Sequence, residues 1–261
     1  MMRTIRLTLL TTAALVLLST AAFAIFTNGG FEAGDFSGGW VKSFFINPGL
    51  TGAPPFSGSN IVRNAGGSDR TAVVGPAATA LSLTDPIVAA VQYPRFGTYA
   101  GRVNYWPTSS NPNQVANSLR QQSIVGAGDI DPSDGKVHAR FVYLPVLEDG
   151  SHIPTQQAYF YIAVRNVTKS TVVWERFAFA NEAGVPWSSS GLYRYTAWQA
   201  VDASGGPGVI DVGDTLELEV SPRPARSAVT AATSTSMPSA RPFRADRLSR
   251  PRRRARCRTP R

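Results

Sequence analysis

Gln157-Ala158-Tyr159-Phe160-Tyr161-Ile162-Ala163-Val164-Arg165-Asn166-Val167 carries large apolar side chains at both odd and even positions, and the fold turns on how it is read. Successive side chains of a strand point to opposite faces, so Ala158, Phe160, Ile162 and Val164 oppose Tyr159, Tyr161 and Ala163. That is the pattern of a central strand covered on one side and half covered on the other. Upstream, Lys136 to Leu144 alternates, with Val137, Ala139, Phe141 and Tyr143 on one face and His138, Arg140, Val142 and Leu144 on the other. Pro145 is expected to close this strand. Thr171 to Ala180 and Thr215-Leu216-Glu217-Leu218-Glu219-Val220 read as further strands. Between them lie the turn signals Asp134-Gly135, Asp149-Gly150, Asn181 with Gly184 and Pro186, and Gly205-Gly206-Pro207. Short strands at this spacing, without an amphipathic helix, predict one all-β domain over 25–220, an antiparallel β-sandwich or barrel.

The N-terminus reads as an export leader. Arg3 and Arg6 precede a mostly apolar run from Leu7 to Leu18, and Ala22-Phe23-Ala24 offers the small-x-small pattern of a signal-peptidase site. Residues 1–24 are therefore expected to be a signal peptide, with no membrane span in the mature chain. The expected location is secreted or at the cell surface. Cys257 is the single cysteine, so the fold is expected to rest on its apolar core without an intramolecular disulfide.

A net charge of +9 would ordinarily point to an anionic partner such as nucleic acid. Its distribution argues otherwise. Residues 221–261 hold twelve Arg, no Lys and one acid, Asp246, while the body is mildly acidic. No nucleic-acid partner is expected. The alternating Thr215–Val220 stretch runs without a turn into Ser221-Pro222-Arg223-Pro224, whose composition buries little apolar area. Two explanations fit this break: a disordered basic tail, or a shifted reading frame near Ser221. With Ser234, Ser236 and Ser239 on TC codons, a one-base displacement turns Val229, Ala231 and Ala232 into Gly, Cys, Arg or Ser, and Thr233 to Met237 into Tyr/His/Asn/Asp alternating with Phe/Leu/Ile/Val, a strand pattern. Loss of that last strand would leave one sheet with an unpaired edge.

Asn28-Gly29-Gly30-Phe31-Glu32-Ala33-Gly34-Asp35-Phe36 with Trp40 resembles the N-terminal strand of the jelly-roll, galactose-binding-like domains that include many carbohydrate-binding modules and bacterial surface proteins. Gly97-Thr98-Tyr99-Ala100-Gly101-Arg102-Val103 is similar to a second element of that group. In this chain Gly38-Gly39 places one extra residue before Trp40. The resemblance implies a jelly-roll sandwich, often with a Tyr-Val-Asp-like last strand, which the shifted frame restores. It also implies a structural Ca²⁺ held by Glu32 together with carbonyls and an Asp of the last strand, hard oxygen donors of the kind calcium takes. That Asp is missing from the chain as written, and the alternative role for Glu32 is to accept backbone hydrogen bonds at a strand edge. Asp129 to Gly135 has a second, irregular calcium-loop pattern, for which a plain Asp/Gly turn is the competing reading.

A glycan ligand packs its C–H groups on flat aromatic faces, so Tyr105, Trp106, Tyr159, Tyr161, Trp187, Tyr193 and Tyr195 are candidates, with core packing as their ordinary alternative. Tyr159 and Tyr161 stand out because they face away from Phe160 and Ile162; with Tyr105 and Trp106 they form the expected ligand-binding set. Catalysis has little support: no Gly-x-Ser-x-Gly elbow occurs, and His138 and His152 lack metal-ligand spacing. Asn166-Val167-Thr168 fits a glycosylation acceptor but lies at a strand end. The expectation is an exported, non-catalytic binding module for a glycan or cell-surface polymer, or alternatively a structural surface or matrix protein without a small-molecule site.

Overall fold

The computed structural model describes residues 25–75, 83–85, 87–104, 114–223 and 228–233, with Leu83 and 228–233 as backbone alone. The expected leader, Tyr105, Trp106 and Cys257 lie outside these residues. The described strands are β1 (Val41–Ile46), β2 (Ala72–Val74), β3 (Leu83–Thr84), β4 (Gln92–Tyr93), β5 (Ala100–Val103), β6 (Val115–Ile124), β7 (Ile130–Asp131), β8 (Lys136–Glu148), β9 (Tyr159–Asn166), β10 (Thr171–Phe179), β11 (Ser188–Ser190), β12 (Tyr193–Tyr195), β13 (Gln199–Gly205), β14 (Thr215–Val220) and β15 (Ala228–Thr233). Two single 3₁₀ turns, Gly58–Asn60 and Ala127–Asp129, are the helical elements among the described residues.

One sheet runs β1-β6-β14-β9-β10; the other runs β11-β12-β8-β15-β5-β2, with β7 and β13 also paired to β8. All of these pairings are antiparallel. The protein is thus an all-β sandwich, as the alternation in β8, β9, β10 and β14 requires. Between the sheets, Val137, Ala139, Phe141 and Tyr143 of β8 meet Phe160, Ile162 and Val164 of β9 and Leu216, Leu218 and Val220 of β14. Each large side chain removed from water in this layer contributes on the order of 2 kcal/mol.

Both outer faces are also partly covered. On the five-stranded sheet, Leu50, Phe56 and Ile61 from the long β1–β2 connection pack over Tyr159, Tyr161, Phe177 and Phe179. On the other sheet, Val88, Val91 and Tyr93 cover Leu144 and Val146. Leu144 and Val146 are the even-numbered face of β8, which is why seven consecutive residues from Phe141 to Leu147 are buried.

Three expectations are corrected. Pro145 does not end β8: the strand continues to Glu148, and Pro145 sits opposite Val229 of β15. A proline has no N–H to give, but its carbonyl remains available to a ladder. Secondly, 25–40 is not a strand but a knot of turns. Asn28 and Phe31 adopt positive φ (48° and 59°), and the Asn28 side chain donates to the carbonyls of Asp35 and Ser37 while accepting from the Ala33 amide. The Trp40 indole donates to the Asn28 carbonyl. Hydrogen bonds to one asparagine thus replace a ladder, and the effect is to drive Phe31 into the end of the sandwich against Trp40 and Phe36, with ring centroids 5.1 and 5.7 Å away.

Thirdly, the fold does not stop at Val220, where the composition changes. Ser221 exchanges backbone hydrogen bonds with Tyr161, and Arg223 does so with Tyr159. β15 then fills the slot between β8 and β5, pairing with both, so the unpaired edge expected there is not present.

The two segments that carry the family resemblance touch each other. A Cβ built on Gly101 would lie 2.6 Å from Cζ of Phe31, too close for any real contact. Phe31 therefore requires glycine at 101. Gly101→Ala is expected to destabilise the protein by about 1–3 kcal/mol through overpacking, and Phe31→Ala by about 3–5 kcal/mol through the cavity it leaves. In urea unfolding the double variant should lose clearly less than the sum, because without the ring the extra methyl has space. Additive losses would show that the two residues do not share this contact.

Candidate functional site

β9 sets out the candidate site. Its odd-numbered side chains, Tyr159, Tyr161, Ala163 and Arg165, face away from the sandwich core, and the chain supplies two different covers for them. Over the first half lies the β1–β2 connection. Tyr159 is completely buried; its hydroxyl accepts from Asn47 Nδ2 at 2.9 Å and its ring stacks on Phe177 at 5.0 Å. Tyr161 is 1 % exposed, and the backbone of Gly58 presses so closely that a Cβ there would lie 2.5 Å from its hydroxyl. These two tyrosines are therefore not the open platform expected of them. Their opposition to Phe160 and Ile162 is real, but a second apolar cluster occupies the outer side. Tyr105 and Trp106, the other half of the expected ligand set, lie outside the described residues. Trp187 packs half-buried against Phe160, and Tyr193 and Tyr195 pack against the Val88–Val91 cluster, so all three serve packing.

Where the cover ends the face becomes polar. Arg165 Nη1 donates to Glu219 at 2.8 Å and to Glu217 at 3.0 Å, and its Nη2 donates to the Tyr161 hydroxyl at 2.9 Å. That hydroxyl donates onward to Glu175 at 2.9 Å. Arg63, from the β1–β2 connection, donates to the other oxygen of Glu219 at 2.6 Å and lies 4.8 Å from the centre of the Phe45 ring. Gln122 donates to the second oxygen of Glu217 at 2.8 Å. Arg120, directly across the β6–β14 ladder from Glu219, is exposed and makes no side-chain hydrogen bond among the described residues.

Burial pushes the Tyr161 hydroxyl up to about 12, against the pull of the Arg165 charge, so it remains a donor to Glu175. Burial also works against the charge of Arg165, but its hydrogen bond to Glu219 and the Glu219 charge outweigh this and raise it above the ordinary arginine value. The result is a fixed row of donors and acceptors across β6, β14 and β9, spanning roughly 10 Å at the usual strand spacing. Glu217 and Glu219 each accept from a guanidinium, the wrong setting for a general acid, which has to hold a proton.

Of this network, Tyr161 alone is among the candidates that the sequence offers. Glu217 and Glu219 were read as alternation in a strand, yet spacing i, i+2 already placed both acids on one face. Arg165, four residues beyond Tyr161, shares that tyrosine's face by the same rule.

Glu32 is held differently from the calcium role the resemblance implies. Its carboxylate accepts from the amide of Thr98 (2.9 and 3.1 Å) and from that of Tyr99 (3.3 Å). Donors that converge on the carboxylate suit an anion without a metal, and among the described residues Glu32 belongs to no cluster of three acidic or histidine side chains. These bonds clamp the Gly97–Tyr99 turn to the N-terminal knot.

The Asp129–Gly135 segment is an Asp/Gly turn. Asp131 accepts from both the amide and the hydroxyl of Ser133 (3.0 and 2.6 Å), and Asp134 accepts from the Lys136 amide at 3.0 Å. His138 lies beside it, with Nδ1 2.6 Å from Asp202 and Nε2 3.1 Å from Asp134. Arg140 bridges Asp202 and Asp131. The carboxylates are thereby committed to protein donors. Asn166, the possible glycosylation acceptor, is buried, and its amide donates to Val209 and Asp214.

No known protein family matches the chain, and no curated protein matches it. Among solved structures, a Stig cyclase from Fischerella sp. TAU aligns at 11 % identity over 79 % of this chain and 92 % of its own, with a TM-score of 0.36. The CBM22-1 xylan-binding domain of Paenibacillus barcinonensis Xyn10C aligns at 10 % identity over 78 % and 87 %, TM-score 0.29. An adhesin domain of the Lys-gingipain of Porphyromonas gingivalis aligns at 7 % over 74 % and 95 %, TM-score 0.29. Likenesses this distant carry no weight in assigning a site or a ligand.

The Asp131 turn has a defined acid response. Hydrogen bonds from the Ser133 hydroxyl and amide, followed by Arg140, hold its carboxyl down to about 2. An unfolded aspartate titrates near 3.9. A lowered pKa stabilises the fold fully above that pH, and the contribution is lost as pH falls through the folded value. Urea unfolding between about pH 5 and pH 2 should therefore show Asp131→Asn losing stability less steeply than the parent below about pH 4. Parallel pH profiles would contradict this.

Proposed function

We propose that the protein is an exported, non-catalytic β-sandwich module that acts outside the cell or at its surface and binds a glycan or cell-surface polymer through the outer face of the five-stranded sheet. One observation supports the reading: the row Gln122–Glu217–Arg165–Glu219–Arg63 holds planar amide, carboxylate and guanidinium groups in place before any ligand arrives. Sugar hydroxyls both donate and accept, and they are recognised by fixed groups of this kind at little ordering cost. Arg120 and the rims of Gln122 and Glu175 are exposed, so the face has groups to offer a ligand without breaking its internal pairs. The guanidinium partners of Glu217 and Glu219 suit a binding face better than a hydrolytic one.

A competing reading, a structural surface or matrix protein without a small-molecule site, draws on the same network, because its carboxylates are already satisfied within the fold. A glycan array separates the two. The binding reading predicts a defined set of glycans retained by the parent and lost by Arg120→Ala and Glu175→Gln, both exposed positions whose replacement leaves the thermal midpoint nearly unchanged. An empty array, or binding that both variants keep, favours the structural reading.

A further inference from the structure

A second site lies at the opposite side of β9, in the cleft between the two sheets. Trp174, Arg176 and Ala178 lie on one face of β10, the face turned to the sandwich interior: Trp174 packs on the central core and Ala178 is wholly buried in it. Arg176 thus stands in a core-facing row at the sheet edge. It is exposed and makes no side-chain hydrogen bond or ion pair among the described residues. Facing it is Tyr143 of β8, only 6 % exposed, whose hydroxyl makes no hydrogen bond among the described residues. Burial pushes that hydroxyl's pKa up while the Arg176 charge draws it down.

The two groups line a recess of about 50 Å³ together with Pro145, Phe160, Val185, Pro186 and Thr196, whose hydroxyl donates to the Ala197 carbonyl. Such a volume takes roughly four water-sized groups, the size of a carboxylate with a carbon or two attached. Gln199 also lines the recess, and its Nε2 is committed to the Ala197 carbonyl at 2.9 Å. A cation and a hydroxyl left without partners over an apolar floor form the usual composition of a small-ligand site, with few polar groups and mostly carbon around them.

We propose that this recess binds a small carboxylate, with one oxygen on the Arg176 guanidinium, the other accepting from the Tyr143 hydroxyl, and the carbon end against Phe160 and Pro145. The carboxylate belongs either to a free organic acid or to an acidic sugar residue. The site is separate from the polar sheet face and does not depend on it.

The test is titration of the full chain with acetate, galacturonate and galactose, followed by the fluorescence of Trp187, which packs on Phe160, and by calorimetry. Saturable binding of a carboxylate, at least about tenfold weaker in Arg176→Gln and weakened in Tyr143→Phe, is expected; tenfold is the loss that accompanies a missing charge-assisted hydrogen bond. Tighter binding of galacturonate than of acetate identifies an acidic sugar as the source, and equal binding identifies a free acid. Tyr143→Phe keeps the ring and Arg176 lies at an exposed edge, so both variants should unfold at nearly the parent's temperature. No saturable response to either carboxylate at about 10 mM, galactose binding as tightly as galacturonate, or an unchanged affinity in Arg176→Gln would overturn the proposal.

Discussion

The period of two along β9 constrains everything built around it. A strand that places Phe160, Ile162 and Val164 between the sheets must place Tyr159, Tyr161 and Ala163 on the far side, and no rotation of the strand removes both sets from water. Leaving two large tyrosine rings in solvent forgoes about 1.5–3 kcal/mol each. The chain meets this by laying the β1–β2 connection over the five-stranded sheet, where Leu50, Phe56 and Ile61 complete a second apolar cluster. The Asn47 amide meets the Tyr159 hydroxyl at the depth of that cluster. The polar face begins where the cover stops, at Arg165, the next outward position after Ala163. The same strand therefore decides both what is buried and where a ligand has access.

The C-terminal part of the described chain extends this arrangement in an unexpected composition. Arg223 is 5 % exposed, and its guanidinium has carbonyls for partners: Asn47 at 3.0 Å, Gln156 at 2.7 Å and Gln157 at 3.1 Å. Burial without a carboxylate lowers its pKa, the direction expected of a cation taken out of water. These bonds tie the end of β14 to the loop before β9 and to the cover over Tyr159. The composition break at Ser221 marks a change in residue types, whereas backbone pairing is found beyond it, between Ser221 and Arg223 and β9 in one sheet and between β15 and both β8 and β5 in the other.

The strands and their faces were legible because period-two alternation is local information. β8, β9, β10 and β14 fall where the apolar patterns place them, and the four inward residues of β8 all reach the core. What the sequence hid depends on distant partners. Leu50, Phe56 and Ile61 are scattered among Gly, Pro and Ser and show no period, so nothing announced a cover for Tyr159 and Tyr161. Arg63 and Glu219 are 156 residues apart, and only the β6-β14-β9 order brings the ion-pair row together. The Asn28–Trp40 stretch reads as a strand because its likeness is one of residue types; the positive φ of Asn28 and Phe31 makes it a knot. Glu32 kept the role that needs no metal, a carboxylate meeting backbone N–H groups.

The claim that β9 is covered on both faces is tested most directly by hydroxyl-radical footprinting read residue by residue in a mass spectrometer. In the folded protein Tyr159 and Tyr161 should stay unmodified while half-buried Tyr99 and Tyr195 react, and all four should react once the chain is unfolded in denaturant. Modification of Tyr159 and Tyr161 in the folded protein at the rate of Tyr99 and Tyr195 would mean that the outer face of the sheet is open, and the second apolar layer would have to be abandoned.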